Sequence, residues 1–357
     1  MSATLVSSSP IQPSSPPIVR PRIDHPAAWT SAEVGGAEGL IHRISSEQQA
    51  ALRRLAESLA GRPLASITRE DASQPEIVTL MQAIRFEIMR GKGAVVLAGL
   101  DIAGLGEEDF ERLFWALGTH LGVGVVQSAR RDLVGRVEKR EDNPAQRGYQ
   151  LDIELGPHCD FHEVLALGCY RSADSGGESG MASSLAIHNA IAETRPDLLD
   201  ALYQGFRHIS ASAQDLSEND VPIFCEIDGT VSAFYHRMFY VNAARELDIP
   251  LPPALVEGLA LFDELAKSQA IRATFPLQPG EMMFWHNFIN LHSRNSFVDR
   301  PEHRRLLFRL WLHTRPGEGR AMAPDFTARA RIMDREHEQG RPGVAYQLDK
   351  MKLSDDS

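Results

Sequence analysis

Gly156-Pro157-His158-Cys159-Asp160-Phe161-His162 is the stretch whose reading decides the fold. It sets an imidazole and a carboxylate two residues apart, after a Gly-Pro break and ahead of the apolar run Val164-Leu165-Ala166-Leu167. On a β-strand, residues i and i+2 point to one face, so His158 and Asp160 converge on one point. That is two thirds of the set of two histidines and one carboxylate that holds non-haem Fe(II) and leaves positions open. Alone, H-x-D is a common pattern. It gains meaning only with a second histidine and an anion anchor further along the chain.

Downstream, His162, His286, His292, His303 and His313 are the candidates for the second histidine. His292 is preferred because Arg305 and Arg309 follow it, inside the apolar run Arg304-Arg305-Leu306-Leu307-Phe308-Arg309-Leu310-Trp311-Leu312. An arginine on so apolar a strand needs an anionic partner. Guanidinium offers a planar fork that matches a carboxylate. A metal with open positions and a buried arginine together suit a dicarboxylate co-substrate, and 2-oxoglutarate fits best. Its keto oxygen and one carboxylate chelate a metal, and its far carboxylate takes an arginine and a hydroxyl.

Around this centre the pattern predicts helices first and strands later. Ser45 and Gln48 form a capping-box pattern before Leu52, Leu55 and Leu59. A second helix is expected from Pro75 to Gly91, then a buried strand at Ala94-Val95-Val96-Leu97 and a helix carrying Phe110, Leu113, Phe114, Leu117 and Leu121. Strand-like, turn-rich sequence is expected over 206–242, with a hairpin turn at Asp228-Gly229. Leu255 to Ala266 reads as a helix. Ile271 to Phe275 and Met282 to Trp285 read as a hairpin around Pro279-Gly280-Glu281. Leu306 to Leu312 is the last apolar strand. The sum is an α+β chain with a mainly β core, a double-stranded β-helix of the jelly-roll, cupin-like type flanked by helices. Its expected division is a Ser/Pro-rich arm at 1–44, the jelly-roll core at 45–315 and a charged tail at 316–357. Within the core, the charged stretch 128–157 is expected to be a lid over the site.

Composition narrows the partners. The chain has 357 residues, 37 Lys plus Arg against 48 Asp plus Glu, and a formal charge of −11. Acidic balance disfavours nucleic acid. Cys159, Cys169 and Cys225 form no CxxC pair, which suits free thiols in a reducing compartment. No apolar run long enough to cross a membrane and no signal-peptide pattern are visible, so a cytoplasmic location is expected. A small organic substrate, among them an amino acid or another small carboxylate, is the expected partner. Assembly into a homo-oligomer is left open.

The chain resembles the taurine dioxygenase (TauD/TfdA) family of Fe(II)/2-oxoglutarate-dependent oxygenases. The resemblance is carried by His158-Cys159-Asp160, Ser175-Gly176-Gly177-Glu178-Ser179, Pro279-Gly280-Glu281, the stretch Trp285-His286-Asn287 through His292, and the pair Arg305 and Arg309. It implies that His158, Asp160 and His292 bind iron. It implies that Arg309, with the Ser179 hydroxyl, holds the far carboxylate of 2-oxoglutarate and that Arg305 sits near the other. The implied reaction consumes O2, converts 2-oxoglutarate to succinate and CO2, and hydroxylates an unactivated C–H bond. Desaturation or ring formation belongs to the same chemistry. The retained Asp160 speaks against the halogenating relatives, which vacate that position. The family's Asp before Asn is His286 here, and its role is open. His162, Gln127, Tyr149, Asp152, His236 and Tyr240 are candidates for the substrate wall, whereas Cys159 is expected to pack. Two other classes remain: a cupin-like metal hydrolase or isomerase, which has no need of the two arginines, and a metal-free jelly-roll binding module.

Overall fold

The computed structural model describes residues 20–140, 148–209 and 216–340. Two β-sheets face each other. Among the described residues, seven strands form the larger one. Its path runs Ile41–Arg43, Ala94–Ala98, Met282–His286, Val164–Arg171, Leu306–His313 and Val123–Gly124, and Gly135–Val137 also pairs with Leu306–His313. The smaller sheet runs Arg272–Phe275, Ser179–Ser183, Asn290–Arg294 and Leu155–His158. This is the expected jelly roll.

Strand periodicity explains why both faces of the larger sheet are apolar. Leu165, Met283, Trp285, Leu307 and Trp311 point inward to the core shared with Met181 and Leu291 of the smaller sheet. Their neighbours Val164, Ala166, Met282, Phe284, Phe308 and Leu310 point outward. There they meet Leu52 and Leu55 of helix Ser46–Leu59, Ile84 of helix Pro75–Met89, and Phe110 and Phe114 of helix Glu107–Gly118. The first of these helices starts with the expected reciprocal cap between Ser45 and Gln48. Each large side chain buried this way contributes about 1.5–3 kcal/mol.

Several expectations are corrected. The Pro279-Gly280-Glu281 turn does not close a hairpin. Arg272–Phe275 pairs with Ser179–Ser183 in the smaller sheet, and Met282–His286 pairs with Val164–Arg171 in the larger. The turn is a corner between sheets, with Gly280 at φ +90° where an added Cβ would lie 2.2 Å from the Leu100 carbonyl. Part of the region expected to be strand-like is the helix Arg237–Leu247. Within the arm at 1–44, the segment around Trp29 and Leu40 packs onto the core. Residues 1–19 of the arm lie outside the described residues, but Ile23 exchanges two hydrogen bonds with Asn189, and Trp29 Nε1 donates to the Lys92 carbonyl at 2.8 Å. Ile41–Arg43 joins the larger sheet in parallel with Ala94–Ala98.

The tail beyond 315 also folds. Helix Pro324–Glu338 buries Phe326, Ala330 and Met333 against the core. Its three apolar anchors at roughly helical spacing are diluted by Arg, Asp and Glu, so its charge hid its face. The stretch 128–157 contains the strand Gly135–Val137 and the cavity-lining residues Tyr149, Ile153 and Glu154. Its residues 141–147 lie outside the described residues.

Candidate active site

The two strands that carry the histidines are neighbours in the smaller sheet. Leu155–His158 pairs antiparallel with Asn290–Arg294, and His158 stands directly opposite His292. Directly opposed residues are the closest cross-strand neighbours, and the two rings lie 4.2 Å apart. The regular strand ends at His158, and Asp160 reaches the same point from the turn that follows. His158 Nε2 lies 3.8 Å from Asp160 Oδ1, and His292 Nε2 lies 4.0 Å from Asp160 Oδ2. The ligand atoms of all three lie within 4.8 Å of one another.

The surroundings orient this group. The Gly156 carbonyl pairs with His158 Nδ1 at 2.8 Å, which leaves Nε2 for the centre. Asn287 clamps the backbone of Asp160 from both sides: its Nδ2 donates to the Asp160 carbonyl at 2.6 Å and its Oδ1 accepts from the Asp160 N–H at 3.1 Å. Trp311 Nε1 donates to Asp160 Oδ2 at 2.8 Å. Burial pushes the Asp160 pKa upward, but the neighbouring His292, His158 and Arg309 and the indole N–H outweigh it and hold the acid well below the usual carboxylate range. Burial lowers His292 to about 3, with His158 and Arg309 adding to it. A neutral imidazole beside an ionised carboxylate is the donor state a divalent metal needs.

A cavity of about 490 Å³ opens over the triad. His158, Asp160, His292, Ser179, Arg305, Arg309, Tyr149 and His236 line it, as expected. Arg305 is buried, and its Nη1 has no hydrogen-bond partner among the described residues. Burial lowers its pKa to about 10. A buried guanidinium N–H without an acceptor marks a place for an anion. Its neighbour in space is the glycine turn: an added Cβ on Gly177, at φ +75°, would stand 3.4 Å from Arg305 Nε. Arg309 lies nearer the triad, since both Asp160 and His292 feel its charge. The unpaired donor thus sits on Arg305, whereas Arg309, expected at the far carboxylate, donates to Gln127.

Four expected residues do not reach the cavity. His162 is fully buried and its Nε2 meets Asp334 Oδ1 at 2.9 Å. The strand alternation that placed it beside Asp160 is broken by the turn at 161–163. Tyr240 is buried on the inner side of helix Arg237–Leu247. Gln127 lies behind the wall, where its Oε1 and backbone carbonyl accept from Arg309, each at 3.4 Å. Asp152 pairs with Lys139 at 2.8 Å. His286, the main rival of His292, is fully buried with Nε2 3.1 Å from Glu163 Oε1. Cys159 packs as expected, its thiol donating to the Asn287 carbonyl. Residues missed from the sequence include Asn287 as a clamp, Trp311 on the carboxylate, and Met333 in the cavity wall. For Trp311 the signal was present: it follows Arg309 by two on the same strand and so shares its face.

A jelly roll with a His/Asp/His group lining a cavity, together with a buried arginine whose Nη1 has no partner among the described residues, defines the architecture of a mononuclear non-haem oxygenase. The chain belongs to the TauD/TfdA family: the model described as "Taurine catabolism dioxygenase TauD, TfdA family" matches residues 60–311. Enzymes of that family work with Fe(II), 2-oxoglutarate and O2, and the donor set here fits the iron. The chain is 26% identical over 307 residues to FR-33289 synthase of Streptomyces rubellomurinus (strain ATCC 31215), covering 82% of this chain and 90% of that one. It is 25% identical over 297 residues to the taurine hydroxylase-like protein SAT17 of Stachybotrys chartarum (strain CBS 109288 / IBT 7711), covering 77% and 75%. In fold it is similar to an asparagine oxygenase solved with Fe(II), 2S,3S-3-hydroxyasparagine and succinate, with a TM-score of 0.61, 17% identity, and 79% and 98% of the two chains covered. It is also similar to the non-haem iron oxygenase OrfP solved with Fe and alpha-ketoglutaric acid, with a TM-score of 0.59, 15% identity, and 77% and 94% covered. No helix among the described residues is long and apolar enough to cross a membrane.

Proposed function

We propose that the protein hydroxylates an unactivated C–H bond of a small organic molecule, coupled to decarboxylation of 2-oxoglutarate. The observation that carries this reading is the convergence of His158, Asp160 and His292 to within 4.8 Å at a cavity that also holds the unpaired Nη1 of Arg305. His158, Asp160 and His292 hold the iron. The bound metal supplies the O2 chemistry. The protein supplies facial geometry, co-substrate orientation and exclusion of water. Arg305, with the Ser179 hydroxyl nearby on the smaller sheet, takes the far carboxylate of 2-oxoglutarate, and Arg309 stands beside the metal-side carboxylate.

The substrate enters over His158. Phe161, Phe239 and His236 make an aromatic wall there: His236 stacks on Phe239 with centroids 3.8 Å apart, and Phe161 stacks on Phe239 at 5.5 Å. Burial lowers His236 to about 3, so it presents a neutral ring. The asparagine and arginine derivatives bound by the structural neighbours support a substrate of amino-acid size. The test is succinate release with Fe(II), 2-oxoglutarate and O2 over a panel of amino acids and other small carboxylates, read together with product mass. A gain of one oxygen in a panel member, matched to succinate, supports the reading. Succinate release that no substrate stimulates, with no oxidised product, would count against hydroxylation of this substrate class.

A further inference from the structure

We propose that Trp311 is a positioning residue for the iron carboxylate, held in place by the C-terminal helix Pro324–Glu338. The proposal rests on Asp160 being a metal ligand. The indole N–H donates to Asp160 Oδ2 at 2.8 Å. That bond engages one carboxylate oxygen and leaves Oδ1 as the oxygen for a metal. The distinction matters for coordination. Two histidines and one carboxylate oxygen occupy half of a six-coordinate metal, a chelating 2-oxo acid takes two more places, and one is left for O2. A carboxylate that ligated through both oxygens would fill that last place. The N–H of Trp311 thus keeps the site open.

Trp311 is itself fixed by its neighbours. The Arg309 guanidinium carbon lies 3.7 Å from the indole centroid. The His162 ring stacks on the indole with centroids 5.1 Å apart and planes 13° apart, and His337 lies nearly parallel to it at 6.3 Å. His162 is anchored in turn by the C-terminal helix. Its Nε2 meets Asp334 Oδ1 at 2.9 Å, and the other oxygen of Asp334 meets His313 Nε2 at 2.7 Å. Met333, next to Asp334, reaches the cavity wall, and His337 Nδ1 lies 3.2 Å from the Val126 carbonyl. The family match ends at residue 311, so the indole is its last residue and the helix that braces it lies beyond.

His162, His313 and Asp334 also bring their donor atoms within 4.8 Å. They form a hydrogen-bonded clamp rather than a second metal centre. Each imidazole Nε2 sits at hydrogen-bond distance from its own oxygen of Asp334, 2.9 and 2.7 Å, whereas the histidine nitrogens of the iron triad stand 3.8 and 4.0 Å from Asp160.

Titration of the full-length metal-free protein with Co(II), read by visible absorption, tests the inference without turnover. The parent is expected to bind one equivalent. Trp311→Phe keeps an aromatic ring and loses the N–H, and it should weaken Co(II) binding about 10–100-fold and alter the ligand-field bands. Asp334→Asn, which leaves the indole intact but loosens His162, should shift both readouts in the same direction by less. Far-UV circular dichroism and the thermal midpoint of the metal-free variants report folding, and Asp334→Asn decides the matter if Trp311→Phe does not fold. Unchanged affinity and bands in a folded Trp311→Phe, or in Asp334→Asn where that variant decides, would overturn the role of Trp311 while leaving the metal site intact. A second Co(II) equivalent lost in Asp334→Asn would overturn the clamp. A parent that binds no Co(II) removes both the metal reading and the inference.

Discussion

At the scale of single residues, the two arginines differ in their surroundings. Arg305 is buried with Nη1 unpaired, and Arg309 is packed against Trp311, Tyr149 and Gln127. Arg305→Gln is expected to raise the KM for 2-oxoglutarate by the equivalent of about 2–5 kcal/mol, the range for losing one partner of a buried charge pair. Co(II) affinity without 2-oxoglutarate should stay near the parent's. Steady-state kinetics and metal titration of the same variant separate the two effects. His292→Ala should do the opposite and abolish tight metal binding, because Asp160 and His158 alone make an incomplete set. His286→Ala should leave metal binding intact but lower the thermal midpoint, since it strips a buried partner from Glu163.

At the scale of elements, register is what makes the site. His158 and His292 lie far apart in sequence and meet because their strands pair with these two residues opposed. The H-x-D motif, the later histidine and the paired arginines were legible because each chemical type is costly in an apolar strand without a function. The turn after His158 was not legible. Strand alternation alone carried His162 toward the cavity, and only the break at 161–163 turns it to the other side. The corner at Gly280 was misread as a hairpin for a related reason: a tight turn has the same sequence signature whether its strands pair or part into two sheets. At Gly176, φ is +73° and an added Cβ would come within 2.3 Å of the Ser296 carbonyl. Gly176→Ala is therefore expected to destabilise the fold by more than about 1 kcal/mol, measured by denaturant melt. In the C-terminal helix, Phe326 is buried against Phe234 and Phe288. Phe326→Ala should cost about 3–5 kcal/mol.

At the scale of the whole molecule, two layers of side chains share one sheet, and the chemistry sits on the inner layer. The outer layer, with its helices, was readable from periodicity. The inner layer was readable only in part, because Arg305, Arg309 and Trp311 occupy positions that a plain core would fill with apolar residues. Acid stability follows from buried imidazoles. Burial lowers His208 to about 3 and His188 to about 4. Each is neutral when folded and protonates near 6.5 when unfolded, so between those values the unfolded state binds more protons. Their contribution is complete above about pH 6.5 and is lost as pH falls toward 4 and 3, at about 1.4 kcal/mol per pH unit for each histidine inside its window. Calorimetry of the metal-free protein from neutral pH to pH 5 should show a falling midpoint.

The most direct measurement is an anaerobic titration of the intact protein with Fe(II) followed by 2-oxoglutarate, watched in the visible. One equivalent of each should bind and produce a weak charge-transfer band from iron to the chelated 2-oxo acid. The band should be absent in Asp160→Ala and should require higher 2-oxoglutarate in Arg305→Gln. A folded parent that takes up no iron, or that binds iron with no band at any 2-oxoglutarate concentration, would contradict a metal and co-substrate site built from His158, Asp160, His292 and Arg305.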